Sequence, residues 1–199
     1  LFVDDDVIPT PALLSAHIGA AERCPEALIA GRVLQPWHHG EADPEELTPF
    51  RFNTLTARGP ADFIGCNVSL PRAPALKLGG FDENFVRVAY RYEAEFAHRW
   101  RQAGHPIRYE PEALLHHLHA GGGGTRSYGI HLTTTRPHHA VGRYYHHLRC
   151  NRLLPALGLC LASLAASVRS RHHLRRPWWI PLTLLAELRG LAWALRLNT

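Results

Sequence analysis

Leu1–Pro9 reads LFVDDDVIP: three large apolar residues, three consecutive aspartates, two β-branched residues and a closing proline. The apolar triplet has the character of a buried strand, and Pro9 removes a ladder donor and so ends the run. Side chains alternate along a strand, so Asp4 and Asp6 project together while Asp5 points elsewhere. Two carboxylates sharing a site repel each other and invite a divalent cation, and hard Mg²⁺ or Mn²⁺ favours such oxygen ligands. An acidic turn with capping duties would show the same residues. Position favours a site, because ligands of open α/β sheets bind beyond strand ends.

Beyond Pro9 the chain alternates between helix and strand patterns. Thr10-Pro11 offers a capping hydroxyl and a first-turn proline, predicting a helix to about Arg23. Residues 27–34 and 62–70 have strand character, separated by a long loop over 36–62 that mixes Pro, Gly and acids. A short helix over 73–78 should end at Gly79-Gly80, and a second over 93–103 at Gly104. Residues 107–109 and 113–118 suit short strands. This alternation predicts an α/β fold, a mixed sheet flanked by helices. Gly121–Gly124 then breaks the chain, and a helix near 138–150 and apolar segments over 153–168 and 178–197 follow. The expected division is therefore an α/β region over 1–127 and a basic, apolar helical region over 128–199.

The 199 residues suffice for one sizeable domain, and 46% apolar with 20% charged residues argues against wholesale disorder. Methionine is absent and the chain opens in strand-like sequence, so further N-terminal strands are expected ahead of Leu1. Residues 1–115 carry 11 Arg/Lys and 16 Asp/Glu, whereas 116–199 carry 11 Arg and a single acid, Glu187. An acidic front suits cation or polar-substrate chemistry, and a basic rear suits contact with something anionic, although a solvated basic tail has the same composition. Cys24, Cys66, Cys150 and Cys160 form no CxxC pair, which points to a reduced, cytoplasmic compartment.

At roughly 100° per residue, Glu93 falls on the same stripe as Phe96, Ala97 and Trp100. Glu95 and Arg99 fall opposite, spaced for a surface ion pair. An inward carboxylate at a helix start is a candidate general base, although any acid there also gains from the helix dipole. His116 and His117 must point to opposite faces of a strand, and one of them can complete a metal site. Gly121–Gly124 with Thr125 and Arg126 can wrap a diphosphate through backbone N–H groups and a guanidinium, or serve as a flexible linker.

LFVDDDVIP at 1–9, Gly65-Cys66-Asn67, GGFDE at 79–83, YEAEFAHR at 92–99, Ala103-Gly104 and PEALLHH at 111–117 occur in that order. Over about residues 1–127 this set resembles the C-terminal two thirds of a family 2 glycosyltransferase catalytic domain. The resemblance implies a GT-A type, Rossmann-like fold and a nucleotide-sugar donor. Asp4 and Asp6 match the family's DxD, which holds Mg²⁺ or Mn²⁺ and the donor's ribose or diphosphate, and His117 matches a histidine of the same site. Gly65 and Asn67 match an acceptor-side strand, and Asp82 and Glu83 an adjoining loop. Tyr92-Glu93 stands where the family usually has Glu-Asp, making Glu93 the counterpart of the catalytic base.

The expected function is transfer of a sugar to a hydroxyl of a saccharide or lipid-linked acceptor, metal-dependent and inverting. The alternative is a non-catalytic membrane- or polyanion-binding domain of the same fold. No nucleic-acid partner is expected, since no recognisable module accompanies the arginines. Residues 153–168 are too short to span a bilayer, and 178–197 carry Glu187, Arg189 and Arg196, which are costly in hydrocarbon. With Arg169, Arg171, Arg175, Arg176 and Trp178-Trp179 between them, residues 150–199 are expected to lie on an anionic membrane at its cytoplasmic face. A helical hairpin packed on the preceding domain is the competing expectation.

Overall fold

The structure, a computed structural model, describes residues 1–38, 52–55, 62–122 and 124–199, with Gly124 and Arg126 described in backbone only. Most of the loop expected over 36–62 thus lies outside the described residues. The chain forms two compact units, Leu1–Gly80 with Phe96–Ala120, and Phe81–Glu95 with Gly121–Thr199. The sequence boundary near 127 is close to the break after Ala120, but Phe81–Glu95 clusters with the C-terminal helices.

The first unit is a five-stranded mixed sheet with helices. Its strands are β1 (Phe2–Val3), β2 (Val7–Pro9), β3 (Leu28–Leu34), β4 (Asn67–Ser69) and β5 (Ile107–His117), in the order β1-β4-β3-β5-β2. Among the described residues only β3 and β5 pair in parallel. Central β3 buries residues on both faces, as a strand covered on each side must. Helix α1 (Leu13–Arg23) lays Leu13 and Ala20 on the sheet, beside core residues Val33, Leu115 and Ile29. The α2 helix (Arg72–Lys77) is short, and α3 (Tyr92–Gln102) supplies buried Phe96, Ala97 and Trp100.

Several local expectations are corrected. Leu1, Phe2 and Val3 are half-exposed, because β1 pairs only with β4 at the sheet edge. Thr10 gives its hydroxyl to Leu114 O at 2.9 Å, so α1 begins at Leu13 without a side-chain cap. The strand expected over 62–70 shortens to β4. The two strands expected over 107–118 are one, with a register slip: Gly31 faces Glu110, but Arg32 faces Leu114. Pro111 sits in the slip, where a residue without an N–H cannot serve the ladder. Gly31 is required there, since a Cβ would stand 2.3 Å from Asn67 Nδ2 and 2.6 Å from Ala113 O.

In the second unit, α4 (Val141–Cys150), α5 (Leu153–Ser167) and α7 (Ile180–Leu197) pack together, with α6 (Arg171–Arg175) as a short connector. Tyr144, Tyr145 and Leu148 of α4 meet Ala156 and Cys160 of α5 and Ala194 of α7. The buried seam of α7 is Thr183, Ala186, Glu187, Gly190 and Ala194. A Cβ on Gly190 would lie 2.6 Å from that of Ala140, so glycine permits the close approach of α7 to the start of α4. Glu187 is buried but accepts from Tyr144 Oη at 2.7 Å and lies 3.4 Å from Arg143. Burial and this bond to Glu187 push the Tyr144 hydroxyl far above its ordinary value. No helix among the described residues is long and apolar enough to cross a membrane.

Candidate metal site and its surroundings

The β2–β5 pairing sets Val7 opposite His117, and the ladder continues outward through Leu118 N–H to Asp6 O at 2.8 Å. The aspartates, in the bend between β1 and β2, therefore lie where the parallel strands β3 and β5 finish. Alternation along β5 leaves His116 exposed and turns His117 the other way. His117 Nε2 lies 3.3 Å from Asp6 Oδ1 and 3.8 Å from Asp4 Oδ2. The second Asp6 oxygen accepts from Ala120 N–H at 3.0 Å, which fixes the carboxylate.

One donor atom from each of Asp4, Asp6 and His117 lies within 4.8 Å of the others. Oxygen donors about 2.1 Å from a divalent cation stand up to about 4.2 Å apart, so small side-chain adjustments would close this set. Two carboxylates and one imidazole suit Mn²⁺ or Mg²⁺ supplemented by water or substrate oxygens. Partial burial raises the Asp4 carboxyl above its ordinary value, with Asp6 and Asp5 adding to the shift and His117 opposing it. A bound cation would relieve that repulsion. Among the described residues His117 Nδ1 is buried with no hydrogen-bond partner, so its ring is oriented by packing and by the carboxylates.

Other expected site residues divide. Glu93 is half-buried in the first turn of α3, within the second unit. Glu95 is 1% exposed, which corrects its expected surface position. The wheel assumed a single inward stripe, but this helix is covered over a wider arc. Arg99 donates to Leu78 O at 2.7 Å and Gly80 O at 2.9 Å, tying α3 to the turn after α2. The approach to Glu93 is strained: Arg87, Ala89 and Arg91 have φ of 66°, 53° and 77°.

Asp82 accepts from Tyr145 Oη at 2.8 Å and Asn84 N–H at 2.9 Å, so it braces its loop against α4. Glu83 is exposed and Gly65 half-buried. Asn67 is 0% exposed, with Nδ2 donating to Arg32 O and Ala113 O and Oδ1 meeting His17 Nε2 at 2.9 Å. This corrects its expected acceptor-side role, since its amide closes the register slip. Arg126 stands in a 3₁₀ turn, Gly124–Tyr128, and its expected diphosphate contact lies outside the described residues.

The sequence reading missed the buried network around Asn67. Because Asn67 Nδ2 donates twice, Oδ1 accepts from His17 Nε2–H, and His17 Nδ1 then accepts from Ser69 Oγ at 2.8 Å. The available signal was His17 standing on the same face as Leu13 and Ala20. Comparison with protein-family models returned no match, and comparison with curated proteins returned none.

Proposed function

We propose that this chain acts in metal-dependent glycosyl transfer, moving a sugar from a nucleotide-sugar to a hydroxyl of a saccharide or lipid-linked acceptor within a GT-A type fold. The observation that carries this reading is the convergence of Asp4, Asp6 and His117 at the end of the parallel strands. The ordered motifs from LFVDDDVIP to PEALLHH support it. These three side chains would hold Mg²⁺ or Mn²⁺, and such an ion, when bound, offsets the charge developing on a departing nucleoside diphosphate.

Glu93 supplies the base. Its carboxylate takes the proton from the acceptor hydroxyl as that oxygen forms a bond to the anomeric carbon. The bond from the anomeric carbon to the diphosphate oxygen breaks, and its electron pair leaves with the nucleoside diphosphate. A single displacement of this kind inverts the anomeric centre. Glu83, exposed near the braced Asp82, is the acidic group of that loop offered for acceptor hydroxyls, while Asp82 fixes the loop's shape.

Mn²⁺ binding to the 199-residue chain, followed by electron paramagnetic resonance, tests the reading. Asp6→Asn should weaken binding at least ~10-fold, since losing even the hydrogen-bonded support of a metal ligand costs that much, with circular dichroism unchanged. Equal Mn²⁺ affinity in the variant would overturn the assignment. Release of nucleoside diphosphate from a panel of nucleotide-sugars, in the presence of Mn²⁺, reports the activity itself.

A further inference from the structure

Helix α5 packs against α4 and α7 through a narrow line of small residues, Ala156 and Cys160, with Ser163 meeting His147 Nε2 at 2.9 Å. The rest of its circumference is exposed, including Leu153, Leu154, Leu157, Leu159 and Leu161. Leu154 is 80% exposed, and the helix contains no charged residue. An uncharged, leucine-rich helix turned mostly outward is an unusual surface for water alone.

The connector after α5 supplies the complementary chemistry. Arg171, Leu174, Arg175, Arg176 and Trp178 are all exposed, and Leu174 reaches 83%. Arg171, His172, Arg175 and Arg176 line a pocket of about 350 Å³. Among the described residues, none of these three arginines has a carboxylate partner. The connector is anchored from behind. Buried His173 joins Ser170 Oγ at 2.8 Å and Thr183 Oγ1 at 2.9 Å, and Thr183 donates to Leu132 O at 3.0 Å. Spacing on α6 puts Leu174 and Arg175 on either side of Arg171 on one face.

We infer that α5 and the Arg171–Trp178 connector form a docking surface for a bilayer bearing anionic phospholipid. Guanidinium groups unpaired among the described residues recognise lipid phosphates, and the leucines and indole enter the headgroup–acyl boundary. The geometry requires lying on the membrane, because α5's 15 residues reach only about 22 Å at ~1.5 Å each, short of the hydrocarbon core. The α7 helix takes no part through its polar line, which is buried as the seam on α4. This surface stands independently of the glycosyl-transfer reading.

Flotation of the 199-residue chain with vesicles tests it, using phosphatidylcholine alone and phosphatidylcholine with phosphatidylglycerol. The protein should float with the anionic vesicles and remain behind with the neutral ones. Arg171→Gln with Arg175→Gln and Arg176→Gln should reduce the partition by about 10²-fold, from the scale for three surface charges. Leu154→Ser with Leu157→Ser and Leu161→Ser should weaken binding to the same vesicles, with helicity retained by circular dichroism. These positions are exposed, so both variants should fold. Binding that ignores phosphatidylglycerol, absence of binding, or a wild-type dimer abolished by the serine changes without any vesicle binding would overturn the inference.

Discussion

Two residues apart on α3, Glu93 and Glu95 carry the same carboxyl group into different surroundings. Glu93 is half-buried at the helix start, whereas Glu95 is enclosed beside Phe96 and Ala97. A general base must keep a path to solvent or substrate, so Glu93→Gln should lower turnover by at least ~10²-fold while leaving thermal stability and Mn²⁺ binding in place. Glu95→Ala should instead cost about 1–3 kcal/mol of stability, the scale for deleting a buried hydrogen-bonding side chain. Denaturant melts and single-turnover rates separate the two effects. A larger rate loss for Glu95→Gln than for Glu93→Gln would reverse the roles. The sequence carried the carboxylate pair but not which one is enclosed, since a wheel ranks apolar neighbours and does not show how wide an arc the rest of the molecule covers. For the Asp4, Asp6 and His117 cluster, alternation left His116 and His117 both open, and the family resemblance singled out His117. Residues 4–6 turn between β1 and β2 rather than continuing a strand, so the meeting of Asp4 and Asp6 was not set by strand alternation.

At the scale of elements, the legible parts were those set by local chemistry. Glycines after α2 and α3, the apolar stripe of α3 and the β3 pattern placed those elements to within a few residues. The register slip between β3 and β5 was not legible: it depends on Asn67, from another strand, filling a gap that only Gly31 leaves open. The segment ahead of α3 was also missed. No glycine marks the left-handed backbone at Arg87, Ala89 and Arg91; packing imposes it, with the Arg87 guanidinium 5.7 Å from the Trp193 ring centre and the Tyr90 backbone against Gly142. Ala89→Gly therefore removes a left-handed penalty of about 1–2 kcal/mol, less ~0.5–1 kcal/mol of added backbone entropy in the unfolded chain. A net gain of up to ~1.5 kcal/mol is expected in urea unfolding. A loss of stability would show that the Ala89 methyl contributes more by packing than its conformation costs.

For the whole molecule, the charge asymmetry located the basic surface but could not reveal that Phe81–Glu95 clusters with the C-terminal helices, a pairing distant in sequence. The 15 histidines also act at this scale. Burial depresses His17, His38, His131, His138, His147 and His173 below the ordinary imidazole value. In the unfolded chain these imidazoles titrate near ~6.5. Between that value and their lower folded values, the unfolded chain binds more protons. Stability is then fully present above about pH 6.5 and is lost as the pH falls through the folded values. Asp4, whose carboxyl is raised, contributes with the opposite sign in the carboxylate range. The urea midpoint should accordingly fall between pH 7.5 and pH 5.5. His17→Gln should flatten that slope, because His17 sits in the Asn67–Ser69 network, where its Nδ1 must stay unprotonated to accept from Ser69. A midpoint that stays level or rises toward pH 5.5 would mean that these imidazoles gain protons without loss of their bonds.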